Sequence, residues 1–309
     1  MSDIHARGIR IPVVDRAMIL NRRRFLALSA CALATPAAAG VRHRWQGVAL
    51  GADVTLTVQG GNAAAAHAFF TEAARGLRSV ERQFSLFLGS ELRRLNAIGR
   101  LANPSADMLT VLKAAGRVHE ATGGVFDPTV QPLWQARRFG QDESVAASLV
   151  GWRNVQIGPS EVRLTRPGMA LTLNGIAQGF AADRLAEIAV RHHLADVLID
   201  TGEARAVGAS SWMARIEAPD GRVMRNLGLR NRALATSAAF GTQIGPGGNL
   251  PHIIGPQGQA PRWSLVSISA PHALLADALS TSAILMTRAE IDSALLAFPG
   301  TRIEAIIPL

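Results

Sequence analysis

The sequence predicts an α+β fold of mixed helices and antiparallel strands that alternate irregularly, rather than a doubly wound parallel sheet. Three observations predict it: a strand at 53–59 alternating apolar and polar residues, helical apolar periodicity at 62–84, 104–124 and 175–193, and short strand-like runs between turn residues at 152–173 and 212–237. With 309 residues, 48% hydrophobic and 18% charged, the chain is long enough to bury a substantial core.

"DVTLTVQ" (53–59) sets Val54, Leu56 and Val58 on one face, the period of a half-buried strand. "NAAAAHAFFTEAARGLRSVERQF" (62–84) reads as a helix with Asn62 near its N-cap, where a side-chain oxygen can accept an otherwise unpaired backbone N–H. A second helix covers 104–124 and stops at Gly123 and Gly124. From Trp152 to Leu173 the chain reads as hairpins, 175–193 as a third helix and "ADVLID" (195–200) as a buried strand. More short strands fall within 212–237, followed by the strand "WSLVSIS" (263–269), an apolar helix at 272–286 and a last strand at "RIEAIIP" (302–308).

Composition removes several functions. The net charge is +9, yet the basic residues are nearly all arginine, and beyond residue 45 they are scattered among acids without an aromatic stripe. That pattern argues against nucleic-acid binding. Cys31 is the only cysteine, which excludes an intrachain disulfide, a thiolate zinc site and an iron–sulfur cluster. Any metal must be bound through oxygen or imidazole.

Residues 1–39 read as an export signal. Arg22 and Arg23 precede Phe25 and Leu26, an apolar run reaches Leu33, and small residues at 37–39 offer a cleavage site, the order of a twin-arginine signal. The expectation is a periplasmic protein comprising one domain over 40–309, with Met18 an alternative start and no transmembrane helix in the mature chain. "LSAC" also resembles a lipoprotein box, but only six residues separate Arg24 from Cys31, shorter than the usual apolar stretch.

The helix at 272–286 poses a chemical question. Asp277, and Thr281 one turn later, sit among Leu274, Leu275, Ala278, Leu279 and Ile284, and a buried carboxylate is costly unless something pairs with it. Four other stretches could carry chemistry. "FDPTVQPLW" holds Asp127 in a tight turn, a place that fits either an ordinary Asp-Pro turn or a fixed carboxylate. "LTLNGIAQGFAAD" runs from a strand through Gly175 into a helix start, which offers free N–H groups to a phosphate; Gly175 and Gly179 permit close approach of backbone or ligand, and their spacing fits close helix packing alone equally. "LIDTGEARAVG" ends an apolar strand in Asp200, Thr201 and Glu203, and a Gly- and Pro-rich region surrounds His252.

Together these stretches resemble the FAD:protein FMN transferases, the ApbE-like flavin transferase family, in the family's order from about Trp45 onward. "FSLFLGSELRRLN" is similar to S-x-Y-x-x-x-S-E-L-x-x-L-N, with Phe87 where tyrosine is usual, and "GGVFDPTVQPL" to the F-D-P-T-V block. "NGIAQGFAADRL" resembles G-G-I-A-K-G-Y-A-V-D, "LIDTGEARAVG" the G-G-D-I-R strand, "ATSAAF" the A-T-S-G block and "PHIIGPQG" the H-I-I-D-P-x-T-G block. The chain departs from these patterns at Asn174, Gln178, Thr201, Glu203, Ala238 and Gly255.

The resemblance implies an ApbE-like, T-fold-related architecture with a flavin cleft between sub-regions. It implies Mg2+ held by the Asp277 and Thr281 side chains and the Ala177 carbonyl, which suits a hard cation, since residues four apart share a helix face. FAD is the implied substrate, with its diphosphate near Gly175. Phe87, Asp127, Gln178, Asp183, Glu203, Thr236 and Ser237 are its implied neighbours, and His252 the base. A threonine or serine of an acceptor flavoprotein bearing D-x-x-[ST]-G-A-[ST] would receive FMN, with AMP released. An acceptor in membrane electron transfer, such as nitrous-oxide respiration, suits the export signal. Two alternatives share the site: an FAD pyrophosphatase yielding FMN and AMP, and a non-catalytic flavin-binding or delivery protein.

Overall fold

The computed structural model describes residues 41–87 and 89–309. The expected signal at 1–39, with Met18 and Cys31, lies outside the described residues. Among the described residues, no helix is long and apolar enough to cross a membrane.

Strands β1 (Arg42–Ala49) and β2 (Ala52–Gln59) form a hairpin, followed by α1 (Ala63–Phe84), α2 (Glu91–Ile98), β3 (Arg100–Ala102) and α3 (Ala106–Ala121). A 3-10 turn (Pro128–Val130) leads to α4 (Gln131–Phe139), α5 (Glu143–Ser148), β4 (Val155–Ile157) and β5 (Glu161–Leu164). Next come α6 (Ala177–Arg191), β6 (Asp196–Asp200), β7 (Ala204–Gly208), β8 (Trp212–Glu217), β9 (Val223–Leu229) and β10 (Ala233–Ala238). The chain ends with β11 (Gln243–Ile244), β12 (Leu250–Pro251), β13 (Trp263–Ala270), α7 (Ala273–Ala283), α8 (Arg288–Leu295) and β14 (Arg302–Pro308).

The architecture is the expected α+β, built on a seven-stranded antiparallel sheet of order β1-β2-β6-β7-β10-β13-β14. Alternation divides its side chains between two apolar clusters. Val197, Ile199, Val207, Ala233, Ala235, Val266 and Ile268 join the main core with residues of α1, α3, α6 and α7. Leu198, Ala204, Ala206, Leu234 and Leu265 instead meet Trp212, Ala214, Ile216 and Leu229 of the β8–β9 hairpin. One face is therefore covered by helices and the other by a hairpin.

Helix α7 is buried almost all round, including Asp277, Ser280 and Ser282. Its alanines and serines let it press against α6, where a Cβ on Gly179 would stand 2.3 Å from the Ala273 carbonyl oxygen. The sequence expectations differ from the fold in places. In the 152–173 stretch only β4 and β5 pair, while 166–173 runs without strand structure; "LIDTGEARAVG" forms two strands, and β1, α2, α4, α5 and α8 were not anticipated.

Candidate functional site

The site begins with two helix starts that cap each other. The N-cap residue of α6, Ile176, makes no side-chain cap; instead Asp277 Oδ2, on α7, accepts the Gly179 N–H at 3.0 Å. Helix α7 likewise lacks a cap from His272, and Asp183 of α6 accepts the Ala273 and Leu274 N–H groups, both at 2.9 Å. Carboxylates at helix N-termini pair with unsatisfied donors and the positive end of the dipole. Asp183 also has a counter-charge, Arg205 Nε at 3.4 Å.

Among the described residues, Asp277 has no such counter-charge. It is 3% exposed, and burial pushes its carboxyl up to about 7 despite the Gly179 bond. Glu203 is nearby and also buried. Burial first, then the charges of Asp277 and Asp200, hold it well above the ordinary carboxylate range, and the Thr236 backbone bond offsets this in part. Its Oε2 has no hydrogen-bond partner.

Hydroxyls complete this region. Thr281 lies one turn beyond Asp277, its Oγ1 3.4 Å from Ser237 Oγ, and Ser237 Oγ stands 2.8 Å from Ser280 Oγ. A Cβ on Gly175 would fall 2.9 Å from Thr281 Cγ2 and 3.0 Å from its Oγ1, so the turn before α6 needs glycine for closeness. Ala177 opens α6 and is buried. Thr236, next to Ser237 in β10, turns its hydroxyl to Ser267 on β13.

The structure thus gathers Gly175, Ala177, Gln178, Glu203, Thr236, Ser237, Asp277 and Thr281 around the α6–α7 contact. His252 follows β12 directly. Burial lowers its pKa, hydrogen bonding to the Thr242 and Ala239 backbone works in the opposite direction, and Nδ1 has no partner. Ala239 is the first residue after β10, two beyond Ser237, and Trp134 Nε1 holds the His252 carbonyl at 3.1 Å.

Three other predicted residues have different surroundings. Asp183 is occupied by the α7 start and Arg205. Asp127 accepts the Thr129 N–H and hydroxyl at 2.8 and 2.6 Å and the Trp152 N–H at 3.3 Å, the contacts of a fixed turn. Phe87 stands between α1 and α2, 66% exposed. Ser280, Arg205 and Trp134 were not anticipated; Ser280 was legible only as a small residue beside Thr281.

Two departures from the family pattern touch each other: Thr201 Oγ1 donates to the Gln178 carbonyl at 3.1 Å, and Gly202 packs against the Gln178 amide. At Gly255 a Cβ would meet Gln259 Oε1 at 2.3 Å and its backbone N at 2.8 Å, so an aspartate does not fit this loop.

A hard divalent cation fits the Asp277 region. It combines the buried carboxyls of Asp277 and Glu203 with hydroxyl and carbonyl oxygens, while Arg205 is held by Asp183 and Arg44 acts on Asp200. Among the described residues no three His, Cys, Asp or Glu side chains converge as a metal site, so Thr281 and Ala177 oxygens would have to contribute.

The fold is the one found in flavin transferases. It matches Flavin Transferase ApbE from Vibrio cholerae with a TM-score of 0.74 at 23% identity, covering 85% of this chain and 93% of that one. The apbe protein from Thermotoga maritima matches at 0.75 and 24% identity, with 87% and 97% covered. The chain belongs to the ApbE family, whose model matches residues 50–307. The FAD:protein FMN transferase of Treponema pallidum is 27% identical over 257 residues, 71% of each chain. That of Klebsiella pneumoniae is 26% identical over 291 residues, 84% of this chain and 83% of its own.

Proposed function

We propose that this protein transfers FMN from FAD to a threonine or serine hydroxyl of a partner protein and releases AMP. The observation that carries the reading is buried Asp277 with half-buried Thr281 one turn on, against the Gly175 turn, in a chain of the ApbE family. Asp277, Thr281 and the Ala177 carbonyl would hold Mg2+. When bound, that ion neutralises charge on the FAD diphosphate as phosphoryl transfer proceeds.

The residues of the chain supply position and proton transfer. The Gly175 turn, which precedes the α6 start, lets Thr281 pack close, and the N–H groups of that helix start would meet the diphosphate. Gln178, Thr236, Ser237 and Glu203 border the same region, and Phe87, Asp127 and Asp183 complete the flavin neighbours inferred from the family pattern. The acceptor oxygen forms a bond to the FMN phosphorus as the P–O bond to AMP breaks. His252 takes the hydroxyl proton, since its lowered pKa keeps the imidazole neutral and able to accept it at pH 7. The twin-arginine pattern at Arg22 and Arg23 supports a periplasmic site of action, on an exported or membrane redox protein.

Purified protein, FAD, Mg2+ and a fragment carrying D-x-x-[ST]-G-A-[ST] test the reading by intact mass. A gain equal to phosphoester-linked FMN supports transfer. Free FMN without fragment modification would indicate a pyrophosphatase, and bound FAD left intact would indicate a flavin carrier. His252→Ala is expected to slow transfer on the order of 10²-fold while FAD affinity changes far less.

A further inference from the structure

Glu203 lies at the head of β7, 7% exposed, with the Thr236 N–H bonded to its carboxylate and Oε2 without a partner. Its position is fixed by the first turn of α6. Thr201 Oγ1 donates to the Gln178 carbonyl at 3.1 Å, and a Cβ on Gly202 would lie 3.3 Å from the Gln178 amide nitrogen. The same turn presents the Gly179 N–H to Asp277 at 3.0 Å. Residues 201–203 and Asp277 therefore converge on one helix start from different elements.

The charges acting on Glu203 are negative, Asp277 first and Asp200 next. Arg205, two residues on, points its Nε to Asp183. Arg44 acts on Asp200 rather than on Glu203. A buried carboxylate with an orphaned oxygen, beside two more carboxylates, calls for a positive partner, and among the described residues no side chain is bonded to that oxygen.

We propose that Glu203 is a second carboxylate ligand of the divalent-cation site, its Oε2 completing the protein oxygen donors that include Asp277 and Thr281. The proposal rests on the reading of Asp277 as a metal ligand. It gives the ion two carboxylates, within the number Mg2+ sites commonly use, with water and phosphate filling the rest. It also explains why the orphan oxygen sits beside like charge.

The rival role for Glu203 is structural, holding β10 through Thr236. Mn2+ serves as the probe, because free Mn2+ is counted by electron paramagnetic resonance without any turnover. The full chain is compared with Glu203→Gln, Glu203→Asp and Asp277→Asn, and melting is recorded in EDTA. Glu203→Gln keeps the size and an oxygen for Thr236 but loses the charge. It is expected to bind Mn2+ at least tenfold more weakly and to melt higher than wild type in EDTA, because the cost of burying a carboxyl group beside Asp277 and Asp200 is removed. Glu203→Asp, one methylene shorter, is expected to fall between them and supplies the result if Glu203→Gln fails to fold. Equal Mn2+ affinity in wild type and both Glu203 variants would overturn the proposal while leaving Asp277 as a ligand. If the wild type takes up no Mn2+ with or without FAD, or Asp277→Asn binds like wild type, the metal reading itself falls and the proposal with it.

Discussion

Asp183 on α6 caps the start of α7, and Asp277 on α7 caps the start of α6, yet the two ends are satisfied very differently. Asp183 receives two backbone N–H groups, one on each oxygen, and stands beside Arg205. Asp277 receives one N–H, is more deeply buried, and has Glu203 as its charged neighbour. The same device thus yields a closed structural joint at one end and unspent acceptor capacity at the other. Surplus negative charge in a dry site is the physical mark that separates a binding centre from a brace.

The comparison breaks if both carboxylates behave alike on substitution. The largest expected effect is on rate: Asp277→Ala should lower magnesium-dependent transfer by about 10²- to 10³-fold, about 3–4 kcal/mol of barrier, with the fold retained. Transfer assays with matched circular dichroism check it. Asp183→Ala should instead cost about 3 kcal/mol of stability, since Arg205 loses its buried partner and two N–H groups lose their acceptor. Urea unfolding measures that loss; a change under about 0.5 kcal/mol would make Asp183 no brace.

Gly179→Ala sharpens the comparison by forcing the joint apart. Its Cβ would meet Ala273 and Leu274 backbone atoms at 2.3 to 2.8 Å, so about 2 kcal/mol of destabilisation is expected in the same unfolding experiment. The smallest effect concerns His252. Its folded pKa lies below the ordinary value of 6.5, so the unfolded chain protonates first. Stability should be level above about pH 6.5 and decline as pH falls from there toward the folded value. Because His252 is half-buried, the decline should stay below about 1 kcal/mol, and His252→Asn should flatten it in melts across pH.

Much of this was legible in the sequence, for identifiable reasons. Strand β2 carries a clean apolar alternation, and the long helices α1, α3 and α6 show their buried faces as periodicity. Strand β1 was not legible because Arg42, Arg44 and Gln46 occupy an exposed face of an edge strand, leaving little apolar pattern. Helices α2 and α8 span eight residues each, too few turns for periodicity to register, although the Thr287–Glu290 capping box marks the start of α8. Within the site, Asp277 with Thr281 could be read from helical spacing. The reciprocal caps could not, because Gly179 and Asp277 are 98 positions apart and only tertiary contact joins them.

The central sheet pairs Thr55 with Asp200 across β2 and β6, so its hydrogen-bond ladder joins segments made at very different times during synthesis. Such long-range pairing forms slowly compared with a local hairpin such as β1–β2. Asp277 arrives later still, on the next-to-last helix. A nascent chain therefore has neither the glycine turn nor the facing carboxylates assembled, and it offers a passing cation nothing better than an isolated carboxylate in water. The cation site proposed here would therefore exist only late in the life of the molecule, in a chain that has already found its final topology.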